Sequence, residues 1–420
     1  MISESISVMR KIFQGLRADE DFYNRLSNRW TVILLIVFSL FINMKQYAGS
    51  PIICWVPKHF PSSWKKYTNQ MCFIEPMYHV PFQERIPDPD LPTPHFTYYI
   101  WIPLVLLVQA AMFYVPRAIW RLMCGSAGVN VRSIVLIMEK EENMNNDKRK
   151  GNVDLVTRYL ERFLMRSRKY KLDCKGYVRR ILVGYWCFCV GRAKGNYLFF
   201  LFLWCKVLYV LNIIGQMFLL NAFLSTDFHS FGTEIMADIM QWRDWTETMR
   251  FPRVILCNLK IRVLGGNIHR HTLQCALPVN YFNERIYLFI WFWFLFLTVA
   301  TIMGFFVWLS MVFTRERQHF MVNCLKIKGL IKSGYKPHRE DIREFVEDYL
   351  RMDGAFLLKL MARNTSDIAV ADVVCKLFKR FQNRKYNNNF DNDGEGIPMT
   401  ENEAPGRPNG TYPKLPEHQD

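Results

Sequence analysis

Cys257 and Cys275 bracket the stretch CNLKIRVLGGNIHRHTLQC, which also holds His269 and His271. Thiolate and imidazole are the ligands of structural zinc, and a His-x-His pair on a strand presents both rings to one face. Against zinc stands the spacing, which matches neither Cys-x-x-Cys nor His-x-x-x-His. Oxidised, the same thiols either close a hairpin on itself or join Cys54 and Cys72 in a larger frame. Four cysteines allow three pairings, and arithmetic does not choose among them. From Cys257 to Val263 apolar and polar residues alternate, and Gly265-Gly266 supplies a turn that tolerates positive φ, so the stretch reads as a β-hairpin. A two-residue turn sets Cys257 opposite Gln274, whereas a three-residue loop sets it opposite Cys275, and the register stays open.

The thiol chemistry depends on the compartment, and the compartment depends on the apolar blocks that position the stretch. Half of the 420 residues are hydrophobic, 15% are aromatic, and the net charge is +17. Phe, Trp, Leu and Ile gather in four blocks, with Lys and Arg between them. That pattern reports membrane orientation and gives no support to nucleic-acid binding. The blocks cover 30–44, 98–120, 196–224 and 287–309. The first is short, and needs Leu26 at one end and a snorkelling Lys45 at the other to cross a hydrocarbon core of about 30 Å. All four are predicted helical, because an open strand edge in lipid leaves backbone groups unpaired. The 29-residue leader ahead of the first block has mixed charge and is long for the n-region of a signal peptide.

An even number of spans puts both termini on one side. The loop 121–195 holds 17 Lys and Arg against 7 Asp and Glu, while 49–97 holds 4 against 4 and 225–283 holds 6 against 5. The positive excess marks the middle loop and both termini as cytoplasmic and the balanced loops as extracellular. The expected organisation is a cytoplasmic segment 1–29, spans at 30–47, 98–120, 196–224 and 285–313, and outer loops 48–97 and 225–284. A cytoplasmic loop 121–195, a helical carboxy-terminal region 314–385 and a tail 386–420 complete it, the tail being rich in Asn, Pro, Gly and charge and read as disordered.

This placement sorts the cysteines. Cys54 and Cys72 fall in the first outer loop and Cys257 and Cys275 in the second, so two disulfides are expected in the oxidising compartment. There disulfides compete with zinc for the thiols, and no metal is expected. Cys187 and Cys189 fall in the cytosol and should stay reduced. Inside the spans, Asn212 and Gln216 are read as interhelical hydrogen-bonding groups, Gln109 lies mid-way along the second span, Lys206 snorkels, and Pro116 kinks its helix. Val156, Leu160, Phe163 and Leu164 form the apolar side of a basic helix that should pack on the carboxy-terminal region, where Ser366 is a candidate N-cap. No acid pair at mid-membrane, nucleotide loop or paired broken helices occur, so neither an enzyme nor a cofactor is expected.

Three motifs carry a family resemblance. YYIWIP opens the second span (Tyr98, Tyr99, Trp101, Pro103), KQYAGSPIICWVP follows the first, and LWCKVLYVLNIIGQMFLLNAFL fills the third. With them the chain resembles the innexins, which form gap junctions in invertebrates, over nearly all of its length ahead of the tail. Two cysteines per outer loop fit innexins and the related pannexins, whereas connexins usually have three. The MCFI around Cys72 is less aromatic than the family setting. The resemblance implies an all-α membrane subunit with four transmembrane helices, a small disulfide-braced extracellular α/β cap and a helical cytoplasmic domain. Such subunits would form an octameric ring, alone or with other innexins, around a wide pore for ions and small solutes in the plasma membrane. That ring would dock to another on an adjacent cell.

The resemblance also implies the pairing of Cys54 with Cys275 and of Cys72 with Cys257. It folds the amino-terminal stretch into the pore mouth, with Ile2, Ile6, Met9, Phe13 and Leu16 against the first span and Ser3, Ser7, Arg10 and Gln14 off that stripe. The same periodicity describes an amphipathic helix on the membrane surface. Asn258, Lys260, Arg262 and Asn267 are candidate docking groups. The sequons at Asn364 and Asn409 fall on the cytoplasmic side and neither outer loop carries one, which favours a junction over a non-docking, pannexin-like channel.

Overall fold

The computed structural model describes residues 20–58, 60–81, 84–87, 97–126, 128–139, 146–169, 195–224, 227–242, 250–262, 265–329 and 339–392. Ser3, Ser7, Arg10 and Gln14, together with Cys187 and Cys189, lie outside the described residues, as does the chain after 392. In order the elements are α1 (Phe22–Tyr47), β1 (Ile53–Cys54), α2 (Ser62–Ile74), α3 (Tyr98–Ser126), α4 (Val131–Glu139), α5 (Asn146–Lys169), α6 (Tyr197–Leu224) and α7 (Phe231–Met240). There follow β2 (Val254–Arg262), β3 (Ile268–Ala276), α8 (Pro278–Leu309), α9 (Thr314–Ile327), α10 (Arg339–Glu344), α11 (Arg351–Asn364) and α12 (Asp367–Asn392). Residues from Phe378 onward form a second compact unit, described only as the end of α12.

Among the described residues, four helices are long and apolar enough to cross a membrane: α1, α3, α6 and α8. Helix α1 begins eight residues ahead of Trp30, and its 26 residues reach about 39 Å at 1.5 Å per residue. Its first turns hide Asn24, Ser27, Asn28 and Arg29 in the protein interior, which is why the apolar block alone looks short. A π-helical turn at Leu26–Trp30 interrupts it, where the Thr31 hydroxyl donates to the Leu26 carbonyl and accepts from the Trp293 indole.

Helix α3 runs through both Pro103 and Pro116. Pro103 has no N–H, so the Tyr99 carbonyl four residues earlier lacks its helical partner. Gln46 of α1 supplies the missing donor at 2.8 Å, and Ser39 donates to the Pro103 carbonyl at 2.9 Å. Two polar side chains of one span thus fasten it to the backbone of the next. Gln216 reaches across from α6 to the Met112 sulfur of α3 at 3.3 Å and to Asn212 on its own helix, while the buried Gln109 amide has no partner among the described residues.

The strands form one antiparallel sheet in the order β1-β3-β2. Cys257 pairs with Leu273, and Arg262 with Ile268 closes the ladder. This corrects the register: neither Gln274 nor Cys275 lies opposite Cys257. The burial pattern supplies the reason. Ile255, Cys257, Leu259, Leu273 and Cys275 are buried on one face, whereas the exposed Gln274 would enter that face after a one-residue slip.

Away from the sheet, Val153, Val156, Leu160 and Leu164 are the buried side of α5, and Arg149 and Lys328 both pair with Asp372 of α12. The Ser366 hydroxyl caps α12 by accepting from the Ala369 N–H at 3.4 Å.

Candidate functional site

Two disulfides build the cap. Cys54–Cys275 joins β1 to β3, whose residues stand directly opposite, and Cys72–Cys257 joins α2 to β2. The first loop is thereby bonded to the second at two separate places, and the thiols that zinc would need are consumed. The rings of His269 and His271 lie nearly parallel with centroids 6.4 Å apart, and Phe60 packs edge-on to His271. Tyr78 exchanges backbone hydrogen bonds with Leu256 at 2.8 and 3.2 Å, so β2 has a cover along part of its free edge. The Asn258 side-chain carbonyl is already engaged, accepting from Tyr78 and Thr272. Lys260, Arg262 and Asn267 are exposed towards the hairpin tip.

The YYIWIP residues form the joint between this cap and the spans. The Tyr98 hydroxyl donates to the Arg250 carbonyl and accepts from Asn280, while Tyr99 donates to the Phe73 carbonyl at the end of α2. One tyrosine holds the second loop and its neighbour the first. Pro103 frees the Tyr99 carbonyl for α1, and Trp101 stays half exposed.

At the opposite end of the spans lies a buried polar cluster. Lys206 does not snorkel: it is fully buried, with Nζ 2.7 Å from Asp21 Oδ2 and 2.8 Å from Asn24 Oδ1. The same Asp21 oxygen accepts from the Trp308 indole at 2.7 Å, and Asp21 Oδ1 caps α1 through the Asn24 N–H. Glu20 lies 3.6 Å from Arg117 and accepts from Asn28, which also donates to Tyr209. All four spans meet here. A buried ion pair offsets its desolvation only when further hydrogen bonds complete it, and this one has them on both partners. Gly304 of α8 makes the close approach possible, since a Cβ there would come within 2.6 Å of the Tyr23 ring.

A second joint lies beside the start of α6. Asp353 of α11 accepts from the Phe199 N–H at 3.1 Å, capping a span from the far end of the chain, and its own N–H donates to the Gly195 carbonyl. Burial pushes the Asp353 carboxyl up to about 6, against the lowering pull of the N–H groups of Phe199, Leu198 and Tyr197. The folded value lies above the unfolded one. Its contribution to stability is therefore fully present below the unfolded value and is lost as the pH rises through about 6. Lowering the pH from about 7.5 to about 5.5 should stabilise the purified channel by about 1 kcal/mol through this group. Thermal melts at the two pH values should show that gain in the parent and not in Asp353→Asn; an equal gain in both would assign it elsewhere.

Comparison with known proteins places these features. The family model described as Innexin matches residues 20–381. The chain belongs to the innexin family. Innexin unc-9 of Caenorhabditis elegans is 32% identical over 370 residues, covering 87% of this chain and 93% of that one. Innexin-19 of the same organism is 31% identical over 397 residues (89% and 86%), and Innexin eat-5 is 28% identical over 384 (88% of each). As an innexin, the chain is a multi-pass membrane protein and a subunit of an oligomeric gap-junction channel, in a family of channels and not of enzymes. The polar cluster and the Asp353 joint escaped sequence reasoning. A lysine inside an otherwise apolar span was the one available signal, since a buried ammonium requires a carboxylate partner.

Proposed function

We propose that this innexin assembles as an octameric ring, alone or with other innexins. In this reading the sheet faces outward, both termini are cytoplasmic, and Ser3, Ser7, Arg10 and Gln14 line the pore mouth. The ring passes ions and small solutes, and the hairpin tips, with Lys260, Arg262 and Asn267, meet their copies on an apposed cell. The observation that carries the docking role is the cap itself. The β2–β3 hairpin, cross-linked twice to the first loop, exposes Lys260, Arg262 and Asn267 on a frame that requires little ordering on contact. The absence of a glycosylation sequon from either loop leaves that tip clear.

The turn tests it. Gly265 and Gly266 have φ of 95° and 89°, the region that β-branched side chains avoid. Replacing both with valine should reduce dye and current transfer between paired cells to background while single-cell currents persist. Undiminished coupling would remove the hairpin tip from docking. Robust single-cell current without coupling in the unmodified protein would instead favour a non-junctional channel.

A further inference from the structure

Phe228 and His229, shortly after α6, pack back against the spans. The Phe228 N–H donates to Asn221 at 2.8 Å, the His229 ring packs on Phe218 at 4.9 Å, and the Trp291 indole donates to the His229 carbonyl at 3.1 Å. Phe218 lies six residues before the end of α6, about 9 Å along the helix axis. Trp291 stands within the apolar part of α8, beyond Tyr287. Gly232 lies against the face of that indole, where a Cβ would come within 2.1 Å of the ring. Helix α7 therefore starts beside the apolar ends of two spans.

Its faces are sorted accordingly. Phe231, Gly232 and Ile235 are buried against the protein. Met236, Ile239 and Met240 are 40%, 49% and 72% exposed. At about 100° per residue they share one arc. Glu234 and Asp238 fall on the other side, where Glu234 pairs with Arg250 at 2.6 Å. Just past the helix, Trp242 is 96% exposed at φ 55°, a conformation that glycine adopts more readily. The span residues next to the start of α7 are themselves exposed and apolar: Phe218, which packs on His229, and Phe292, which packs on Trp291.

We infer that α7 is an interfacial anchor, lying in the headgroup layer of the sheet-side leaflet with Met236, Ile239, Met240 and Trp242 turned to phospholipid. Its depth beside the spans, its uncharged exposed arc and the tryptophan at its end are the features of a helix in that layer. The competing occupant of this face is a neighbouring subunit.

Photocrosslinking separates the two. The full-length channel, in phosphatidylcholine nanodiscs, carries a benzophenone side chain in place of Met236, Met240 or, as the control, Glu234. Illumination should add phospholipid mass to the protein at the first two positions, with yields about tenfold above the control. Covalent subunit dimers from those positions, or lipid yields equal to the control, would overturn the anchor. If the bulky group disturbs assembly, Met240→Cys with a nitroxide reads the same contact. Collision with dissolved oxygen should then exceed collision with a water-soluble nickel complex, and the pattern of a labelled Glu234→Cys would refute it.

Discussion

Lys206→Met should leave little assembled channel at the cell surface. The substitution removes a buried ammonium and strands Asp21, which Trp308 and the Asn24 N–H still address but no charge balances. Breaking one side of a buried pair costs about 3–5 kcal/mol, a large share of the stability of most domains. The discriminating variant is Lys206→Met combined with Asp21→Asn. Asparagine keeps one acceptor oxygen, which still caps α1 through the Asn24 N–H at the expense of the indole bond, while the uncompensated charge is gone. Surface biotinylation and gel filtration in detergent should show the single variant depleted and aggregated and the double variant largely recovered. Two independent, additive losses would mean that Lys206 matters through its shape and not through its partner.

The second large effect lies at the other end of the molecule. Cys72→Ser with Cys257→Ser should abolish coupling between paired cells. Loss of a native disulfide typically costs about 2–5 kcal/mol. Here it also releases α2 from β2, and with it the Phe73 carbonyl that the Tyr99 hydroxyl holds at 2.9 Å. Replacing both cysteines avoids an unpaired thiol that could exchange with Cys54–Cys275. Coupling measured by double patch clamp should fall to background, and non-reducing peptide maps should still contain the Cys54–Cys275 link. Normal coupling in this variant would show that one bond suffices to hold the cap.

The four spans were legible because each carries a long, predominantly apolar block, and the hairpin because residues 257–263 alternate cleanly. The true start of α1 was hidden. Asn24, Ser27, Asn28 and Arg29 look like surface residues until α3, α6 and α8 close over them, and those helices come far later in the chain. Lys206 misled for the same reason, since snorkelling and pairing with Asp21 are indistinguishable until the partner is located. Turn length leaves the hairpin register open, and the buried face of the two strands decides it. The four sheet-side cysteines were identifiable as a set, but their partners could not be derived from the residues alone. Asp353 reads as an ordinary helical acid, and nothing nearby in the sequence announces that it caps a helix more than a hundred residues upstream. Helix α7 is ten residues inside a loop and went unnoticed between two stronger signals.

The cross-linked cap also constrains how the chain is made. Its disulfides join residues 221 and 185 positions apart, and two membrane crossings separate the partners. With the sheet on the lumenal side, as proposed, Cys54 and Cys72 emerge into an oxidising space while their partners are still unsynthesised. At about 5–20 residues per second the wait is roughly 10–40 seconds. Throughout it the two early thiols have only each other, and a Cys54–Cys72 bond formed then must be reshuffled before β1 can pair with β3. Maturation of this channel should therefore depend on disulfide isomerase activity, and pulse-labelled chains should pass through a form with an oxidised first loop that later gives way to the two inter-loop bonds.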